Sequence, residues 1–157
     1  MRQIPLLVLF LLFSGADAFP FTGEVVAILD GDTIEVLHNG KAQRVRLHGI
    51  DCPEKGQPFG NNAKQATSSL IFAQEVTLQI HGKDKYRRIL ADVLLADETN
   101  VNHLLVKDGW CWWYRKYAAD DTTLETLEAD AREAKKGLWD DPSPVPPWEW
   151  RKRTRSR

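Results

Sequence analysis

Apolar and polar residues alternate along three short segments in the first third of the chain. These segments are rich in β-branched residues and cover residues 24–29, 33–37 and 42–48. Alternation of this kind predicts strands with one buried face. The connections agree, because Asp30-Gly31-Asp32 is a tight-turn sequence and Asn39-Gly40 is a strong hairpin signal. The pattern therefore predicts a three-stranded meander.

A helical pattern and two further strands follow the meander. Apolar residues recur every three or four positions, at Phe59, Ala63, Ala66 and Leu70. This spacing places them on one face of a helix that we predict from about residue 60 to about residue 72. The segments at 76–80 and 89–95 predict two more strands.

Two helices are predicted after the fifth strand. The first begins near Thr99 and ends at Gly109, and the second ends at Gly137, because glycine commonly follows the last turn of a helix. Their predicted inward-facing residues are Val101, Leu104 and Leu105 in the first helix and Leu124, Leu127, Ala131 and Ala134 in the second. Five strands with a helix between the third and fourth match a Greek-key barrel of the oligonucleotide-binding (OB) type. We therefore predict an α+β, mainly β fold: a five-stranded OB-type barrel with about three packed α-helices.

Prolines and tryptophans characterise the segment after the last predicted helix. Because proline interrupts helices and sheet ladders, residues 140–150 are predicted to form an extended strap, which Trp148 and Trp150 lay against the domain. Residues 151–157 are strongly basic. They either hold a polyanion loosely or form a solvated tail. The predicted organisation is a folded domain over 19–140, followed by a strap and basic tail over 141–157.

The first residues have the three parts of a secretory signal peptide. Arg2 precedes an apolar run from Leu6 to Phe13, and Ala16-Asp17-Ala18 is a small-residue cleavage site. The apolar run is too short to span a bilayer. We therefore expect a signal peptide over 1–18, a secreted or periplasmic protein, and no stable membrane association after cleavage. A monomer is the default expectation.

Charge and cysteine content narrow the function only slightly. The formal net charge is −1 at pH 7, so composition alone does not indicate a nucleic-acid-binding protein. The chain has two cysteines, Cys52 and Cys111. An oxidising export compartment favours a disulfide between them, and the alternative is two free thiols. A disulfide would tie the loop 51–54 to the segment 110–113.

Four acidic residues lie in two turns of the predicted barrel. Asp30 and Asp32 lie in the first turn, and Asp51 and Glu54 follow the third strand. Adjacent strands would bring both loops to one end of the barrel, where the carboxylates repel each other unless a cation lies between them. Oxygen ligands favour calcium or magnesium over zinc. Each carboxylate taken singly is more simply an ordinary turn residue.

Basic residues accompany these carboxylates. Arg44, Arg46 and His48 share one face of the third predicted strand. A second basic group, residues 85–88, precedes the fifth strand and by itself is typical of a solvated turn. Phosphodiester cleavage requires a divalent ion, a carboxylate that activates water, and guanidinium groups that pair with phosphate oxygens. Together the acidic and basic residues supply these requirements.

Three motifs carry a family resemblance. The sequences ILDGDT (28–33), VRLHGIDCPE (45–54) and DKYRR (84–88) resemble, in order and spacing, the successive active-site motifs of the thermonuclease (staphylococcal nuclease) family. The likeness extends from about residue 22 to residue 139. It implies an OB-type barrel and a calcium-dependent nuclease that hydrolyses DNA and RNA, with single strands preferred. It also implies products with 3′-phosphate ends.

The resemblance also implies roles for individual residues. Its calcium ligands are the carboxylates of Asp32 and Asp51 and the backbone carbonyl of Cys52. Glu54 matches the general base or water-orienting carboxylate. Arg46 and Arg88 match the two arginines that contact the scissile phosphate.

The chain departs from the family pattern around these residues. Cys52 stands where the family has threonine, and Arg87 stands where it has glycine. This second difference leaves open whether Arg87 and Arg88 share or exchange the phosphate role.

Three tyrosines are predicted to bind substrate. Tyr86 matches a family tyrosine that contacts nucleotide, whereas Tyr114 and Tyr117 compete for the second position. Trp112 and Trp113 beside them either offer surfaces for base stacking or pack in the core. Trp110 is expected to pack in the core.

Two other classes of function fit parts of the sequence. A non-catalytic OB-type module that binds oligonucleotides is the main alternative, and a calcium-stabilised structural domain is another. A pure binding module has no use for Glu54, whose negative charge repels phosphate. A structural domain leaves the arginines unexplained. The sequence therefore favours the nuclease.

Overall fold

Five strands close into a barrel in the computed structural model, which describes residues 20–156. In chain order the strands are β1 (Phe21–Asp30), β2 (Thr33–His38), β3 (Lys41–Leu47), β4 (Ile50–Asp51), β5 (Glu75–Lys83), β6 (Ile89–Leu94) and β7 (Trp112–Trp113). The barrel order is β1-β2-β3-β6-β5, with β1 paired to β5 and β3 parallel to β6. β4 and β7 form a separate two-stranded sheet. The predicted OB-type barrel is confirmed.

Local backbone chemistry forms the meander. Asn39 and Gly40 both have positive φ, 49° and 73°, as the predicted hairpin turn requires. β1 carries two register shifts against β2, and such bulges bend a strand. Alternate residues of the barrel strands point inward and are buried, among them Val25, Ile34 and Val45.

Gly31 is required in the first turn for a steric reason. A Cβ atom at this position would lie 2.8 Å from the Cβ of Cys52 and 2.9 Å from that of Ala63. The Thr67 hydroxyl donates to the Gly31 carbonyl (2.6 Å) and fixes the turn to the following helix. The first turn therefore packs directly on the loop that contains Cys52.

Four α-helices and one 3₁₀ helix surround the barrel in residues 20–156. They are α1 (Gly60–Ile71), α2 (Val101–Lys107), α3 (Thr122–Glu133), the 3₁₀ helix (Gly137–Asp140) and α4 (Pro147–Arg155). The first three agree with the predicted helices. Val101, Leu105, Leu124 and Ala131 are buried as predicted, but Leu104 is only half-buried and Ala134 is exposed. α3 instead buries Glu128, whose carboxylate accepts the Trp113 N–H (3.2 Å).

The end of the chain corrects the prediction of an extended strap. Residues 141–146 lack helix and strand, but α4 begins directly after Pro146. Pro147 occupies the first turn of α4, where its missing N–H leaves no hydrogen bond broken. The prolines therefore position the start of a helix rather than exclude one. The predicted signal peptide, residues 1–18, lies outside the described residues.

Within residues 20–156, no helix has the length and apolar character needed to cross a bilayer.

Candidate functional site

Two loops at one end of the barrel bring Asp32 and Asp51 together, as predicted. Arg46, on β3, reaches both carboxylates: its Nη2 lies 3.1 Å from Asp32 Oδ2 and 3.0 Å from Asp51 Oδ1. Its Nη1 donates to the backbone carbonyls of Leu47 (2.8 Å) and Ile50 (2.9 Å). Arg46 is thus fixed between the two carboxylates.

Both carboxylates are removed from water. Asp51 is 1% exposed and Asp32 is 6% exposed. Burial, with a contribution from the charge of Asp32, raises the pKa of Asp51 to about 6, although Arg151 and Arg46 act in the opposite direction. Burial followed by repulsion from Asp32 raises the pKa of Asp30 to about 7. Both shifts arise first from burial, which disfavours the charged carboxylates, and repulsion between neighbouring carboxylates adds to it.

The donor set at this end of the barrel fits a hard cation. Asp32 and Asp51 converge on one positively charged nitrogen of Arg46. The Cys52 N–H donates to Asp32 Oδ2 (2.7 Å), so the Cys52 backbone also lies beside Asp32. Among residues 20–156, no group of three or more His, Cys, Asp or Glu side chains has the arrangement of a metal site. A divalent ion here would therefore depend on carboxylates together with backbone or water oxygens, which suits calcium or magnesium.

Glu54 lies in the same cluster, paired with an arginine that the sequence reasoning did not select. Arg151, on α4, places Nη1 2.5 Å from Glu54 Oε1 and Nη2 2.8 Å from Asp51 Oδ2. Burial opposes the charged form of Arg151, but hydrogen bonds and charge from Asp51 and Glu54 raise its pKa. Arg151 therefore remains a cation that spans the two carboxylates.

The loop that carries Glu54 is fixed at three points. Cys52 and Cys111 form a disulfide, which confirms the predicted pairing. Gln57, itself buried, accepts the Glu54 N–H at its Oε1 (3.0 Å) and donates from Nε2 to the Val145 carbonyl (2.7 Å). Arg151 supplies the third point. Glu54 is thus positioned by covalent, polar and ionic contacts from three other parts of the chain.

The predicted phosphate-binding loop forms a tight turn of its own. Asp84 Oδ1 accepts the N–H groups of Tyr86 (2.9 Å) and Arg88 (3.0 Å), and Arg88 Nε donates to Asp84 Oδ2 (2.7 Å). Arg87 has a φ of 65°, the left-handed region, which accounts for glycine at this position in the family pattern. Arg88 is half-buried and Arg87 is exposed.

This loop opens onto a shallow groove beside the carboxylate cluster. Tyr86, Arg87 and Arg88 line the groove together with Asp30 and Thr33 of the β1–β2 turn. Tyr86 is 65% exposed, so its ring is free to meet a ligand. Arg88 pairs with Asp84 rather than with Asp32, Asp51 or Glu54. The structure therefore brings Arg46 and Glu54 to the carboxylates but leaves Arg88 in the adjoining groove.

One of the two tyrosines after β7, Tyr114, lines a second, aromatic cavity, and Tyr117 lies against Tyr114. Tyr114 is stacked parallel to Trp148 of α4, with ring centroids 5.3 Å apart, and Tyr117 meets Tyr114 edge-on at 4.9 Å. Trp112 and Trp113 are buried in β7, so they pack in the core rather than offer surfaces for base stacking. Trp110 is half-buried against the core, as expected. The aromatic cavity has a volume of about 520 Å³.

Basic side chains surround the aromatic cavity. They are Arg115, Lys116, Arg132 and Lys152. The buried Glu128 is the acidic residue that lines it, and Arg132 (3.4 Å) and Arg115 (3.8 Å) already offset its charge. The cavity therefore combines flat aromatic surfaces with net positive charge.

Sequence reasoning missed Arg151 and Gln57. Arg151 was included in a basic tail, although Pro146-Pro147 followed by Glu149 is a favourable start for a helix that continues through it. Gln57 lies in a polar loop and carries no pattern of its own, because its partners are backbone groups distant in sequence.

Comparisons with known proteins agree on one family. Residues 44–141 match the family model described as staphylococcal nuclease homologue. A protein of Escherichia coli named "uncharacterized endonuclease" is 43% identical over 153 residues, which cover 98% of this chain and 99% of that protein. A Shigella flexneri protein named "micrococcal nuclease" is 42% identical over 145 residues, 87% of this chain and 83% of that protein. A rice protein named "probable staphylococcal-like nuclease CAN1" is 34% identical over 78% of this chain and 36% of its own length.

Proposed function

Because this chain belongs to the staphylococcal nuclease family and is therefore a nuclease, we propose that it hydrolyses phosphodiester bonds of DNA and RNA with the help of calcium. The observation that carries the proposal is the convergence of Asp32, Asp51 and Glu54 with Arg46 at one end of the barrel. Such a cluster combines metal-binding oxygens, a candidate base and a guanidinium within one site.

Calcium would be held by Asp32, Asp51 and the backbone carbonyl of Cys52. The two carboxylates already share one cation, Arg46, and the Cys52 backbone is hydrogen-bonded to Asp32. When bound, the ion would supply a concentrated positive charge to the phosphate. These contacts support the proposed ligand set.

Glu54 is the proposed general base. A carboxylate fixed in position can accept a proton from the attacking water, and Gln57, Arg151 and the disulfide hold the Glu54 loop in place. Arg46 and Arg88 would offset the negative charge that grows on the phosphate during attack. Loss of the 5′-oxygen as leaving group would give products with 3′-phosphate ends.

Single-stranded nucleic acid is the proposed preferred substrate. The groove with Tyr86 and Arg87 and the cavity with Tyr114 lie outside the carboxylate cluster, and each is lined by aromatic rings beside basic groups. Tyr117 is exposed and lies against Tyr114. Stacking on aromatic rings requires unpaired bases, whereas a duplex keeps its bases stacked on one another. Tyr114 is the better placed of the two later tyrosines, because it lines the aromatic cavity and Tyr117 does not.

The proposed setting is extracellular or periplasmic. A disulfide between Cys52 and Cys111 is compatible with an oxidising compartment, and the sequence of residues 1–18 is typical of a signal peptide. We further propose a monomer with the catalytic domain over 19–140 and the strap and basic segment over 141–157.

Digestion of single-stranded DNA, with calcium or with excess chelator, tests the proposed function. We expect cleavage with calcium, none with chelator, and a loss of about 10²-fold or more in rate for Glu54→Gln. Glu133→Gln, on the exposed side of α3, removes the same charge away from the site and should leave the rate unchanged. End-group analysis of the products checks for 3′-phosphates, and a matched RNA and a duplex test the substrate range.

Two outcomes would contradict the proposal. Full activity of Glu54→Gln would show that Glu54 is not the base. Binding of single-stranded DNA without cleavage would instead indicate an OB-type binding module.

A further inference from the structure

The guanidinium of Arg151 occupies the oxygens that a metal ion and a catalytic water would use. Nη2 contacts Asp51 Oδ2 at 2.8 Å, and Nη1 contacts Asp51 Oδ1 at 3.2 Å and Glu54 Oε1 at 2.5 Å. Both oxygens of Asp51 therefore accept hydrogen bonds from Arg151, and Oδ1 is also shared with Arg46. Each of the two oxygens of Asp51 thus has at least one arginine partner, with which a metal ion would have to compete.

The docking of α4 explains why Arg151 reaches this position. Pro147 is buried, and Trp148 packs edge-on against Trp112 with ring centroids 5.6 Å apart. Residues three apart lie on neighbouring positions of one helix face, so the anchored Trp148 directs Arg151 toward the barrel. Two residues before Pro147, the Val145 carbonyl accepts a hydrogen bond from Gln57, whose side chain also accepts the Glu54 N–H. The approach of Arg151 is therefore built into the fold.

The contact of Arg151 with Asp51 and Glu54 improves the charge balance of the site. Asp32, Asp51 and Glu54 place three carboxylates in one partly buried cluster. Arg46 contacts Asp32 and Asp51, but its single positive charge balances only one of the three negative charges. Buried carboxylates without a cation repel each other and destabilise the fold. Arg151 adds a second cation, one carried by the chain itself.

We propose that Arg151 is a further residue of the active site, a tethered cation that neutralises Asp51 and Glu54 without metal and competes with the divalent ion for them. The inference rests on the proposed function, which makes Asp51 a metal ligand and Glu54 the base. Because each cation excludes the other from Asp51, metal binding weakens the contact between α4 and the carboxylates. Conversely, the contact between Arg151 and the carboxylates weakens metal binding, because coupling between two binding events is reciprocal.

Calcium titration of the purified protein by calorimetry tests the competition without reference to catalysis. Arg151→Gln removes the competing charge but keeps a polar side chain, so we expect calcium to bind about 10-fold more tightly, within the usual range of such couplings. Arg151→Lys should give an affinity between the two, because an ammonium is a point charge that cannot pair with two carboxylates as a planar fork does. Arg153→Gln, an equal charge change on an exposed position of the same helix, should bind calcium as the parent does.

Thermal unfolding gives a second, independent measurement. In excess chelator, Arg151→Gln should unfold at a lower temperature than the parent, because its carboxylates have lost their tethered cation. In excess calcium this difference in unfolding temperature should shrink or reverse. Calcium must displace Arg151 from the carboxylates of the parent, whereas the Arg151→Gln variant has no such side chain to displace. Arg153→Gln should show neither effect.

The results separate this proposal from the proposed function. Tighter calcium binding in Arg151→Gln supports the competition even if no nucleic acid is cleaved. Unchanged or weaker calcium binding in both Arg151→Gln and Arg151→Lys would overturn it and would make Arg151 a structural or substrate-binding residue instead.

Discussion

Asp30 is a further carboxyl group at the edge of the site, and within residues 20–156 it forms no ion pair with an arginine. Its Oδ1 accepts the Asp32 N–H (3.3 Å), and burial together with Asp32 raises its pKa from 3.8 to about 7. A carboxyl whose pKa is raised on folding binds more protons in the folded state than in the unfolded state between these two pH values. Its contribution to the free energy of unfolding therefore falls as pH rises through this window.

Asp30→Asn tests this titration. Asparagine keeps the acceptor oxygen but carries no charge. The free energy of unfolding of the Asp30→Asn variant, relative to that of the parent, should therefore increase from about pH 4 to about pH 8. Urea unfolding at several pH values, in chelator, measures the difference. Asp120→Asn, at an exposed position away from the site, is the matched control. The same pH profile in both variants would contradict the raised pKa of Asp30.

Arg87 and Arg88 are neighbours with different structural roles. Arg87 occupies a left-handed position, with φ 65°, that glycine adopts without strain, whereas Arg88 is held by Asp84 at the groove. Arg87→Gly should retain the cleavage rate and change stability by no more than about 1 kcal/mol. Arg88→Ala should lower the rate by about 10²-fold. Single-turnover cleavage compares the two, and a greater loss in Arg87→Gly would assign the phosphate role to Arg87.

The element that most depends on tertiary contacts is the loop between β4 and α1. Gln57 links the Glu54 N–H to the Val145 carbonyl, so two half-buried backbone groups share one side chain. α4 begins directly after residues 141–146 and carries Arg151 back to the same loop. The loop and the C-terminal segment therefore form one unit around Glu54.

Gln57→Ala should loosen this unit. The change leaves the Glu54 N–H and the Val145 carbonyl without their partner, which costs about 1–3 kcal/mol of stability. The rate should also fall, because Glu54 loses one of its fixed points. Thermal unfolding and kcat measured on the same preparations check both effects. Gln65→Ala, exposed on α1, is the matched control, and equal behaviour of the two variants would remove Gln57 from this role.

At the scale of the whole molecule, the disulfide joins the site loop to the region after α2. Cys52 and Cys111 are 59 residues apart, and both are buried. Closing a loop of this length restricts the unfolded chain and stabilises the folded state by about 2–4 kcal/mol. The double variant Cys52→Ala, Cys111→Ala should lose stability of this order in non-reducing chemical denaturation. Reductant should destabilise the parent and leave the double variant unchanged, and a parent insensitive to reductant under denaturing conditions would contradict the pairing.

Local patterns in the sequence determined most of the barrel. The alternation in β1–β3, the Asn39-Gly40 turn and the apolar face of α1 depend on neighbours within a few residues, so the sequence alone shows them. The clustering of Asp32 with Asp51 was also predictable, because strand order brings the two loops to one end. The local pattern does not predict α4, because proline interrupts helices at most positions and is favourable only in the first turn.

Only the tertiary structure decided how the site is completed. Arg151 lies 100 residues from Asp51 in the chain, and Gln57 lies 88 residues from Val145. No periodicity or motif links residues so far apart, because their contact depends on the packing of α4 and the strap against the barrel. The sequence thus determined which carboxylates gather at the end of the barrel. The fold decided which cation of the chain reaches them, since that depends on the path of the entire backbone.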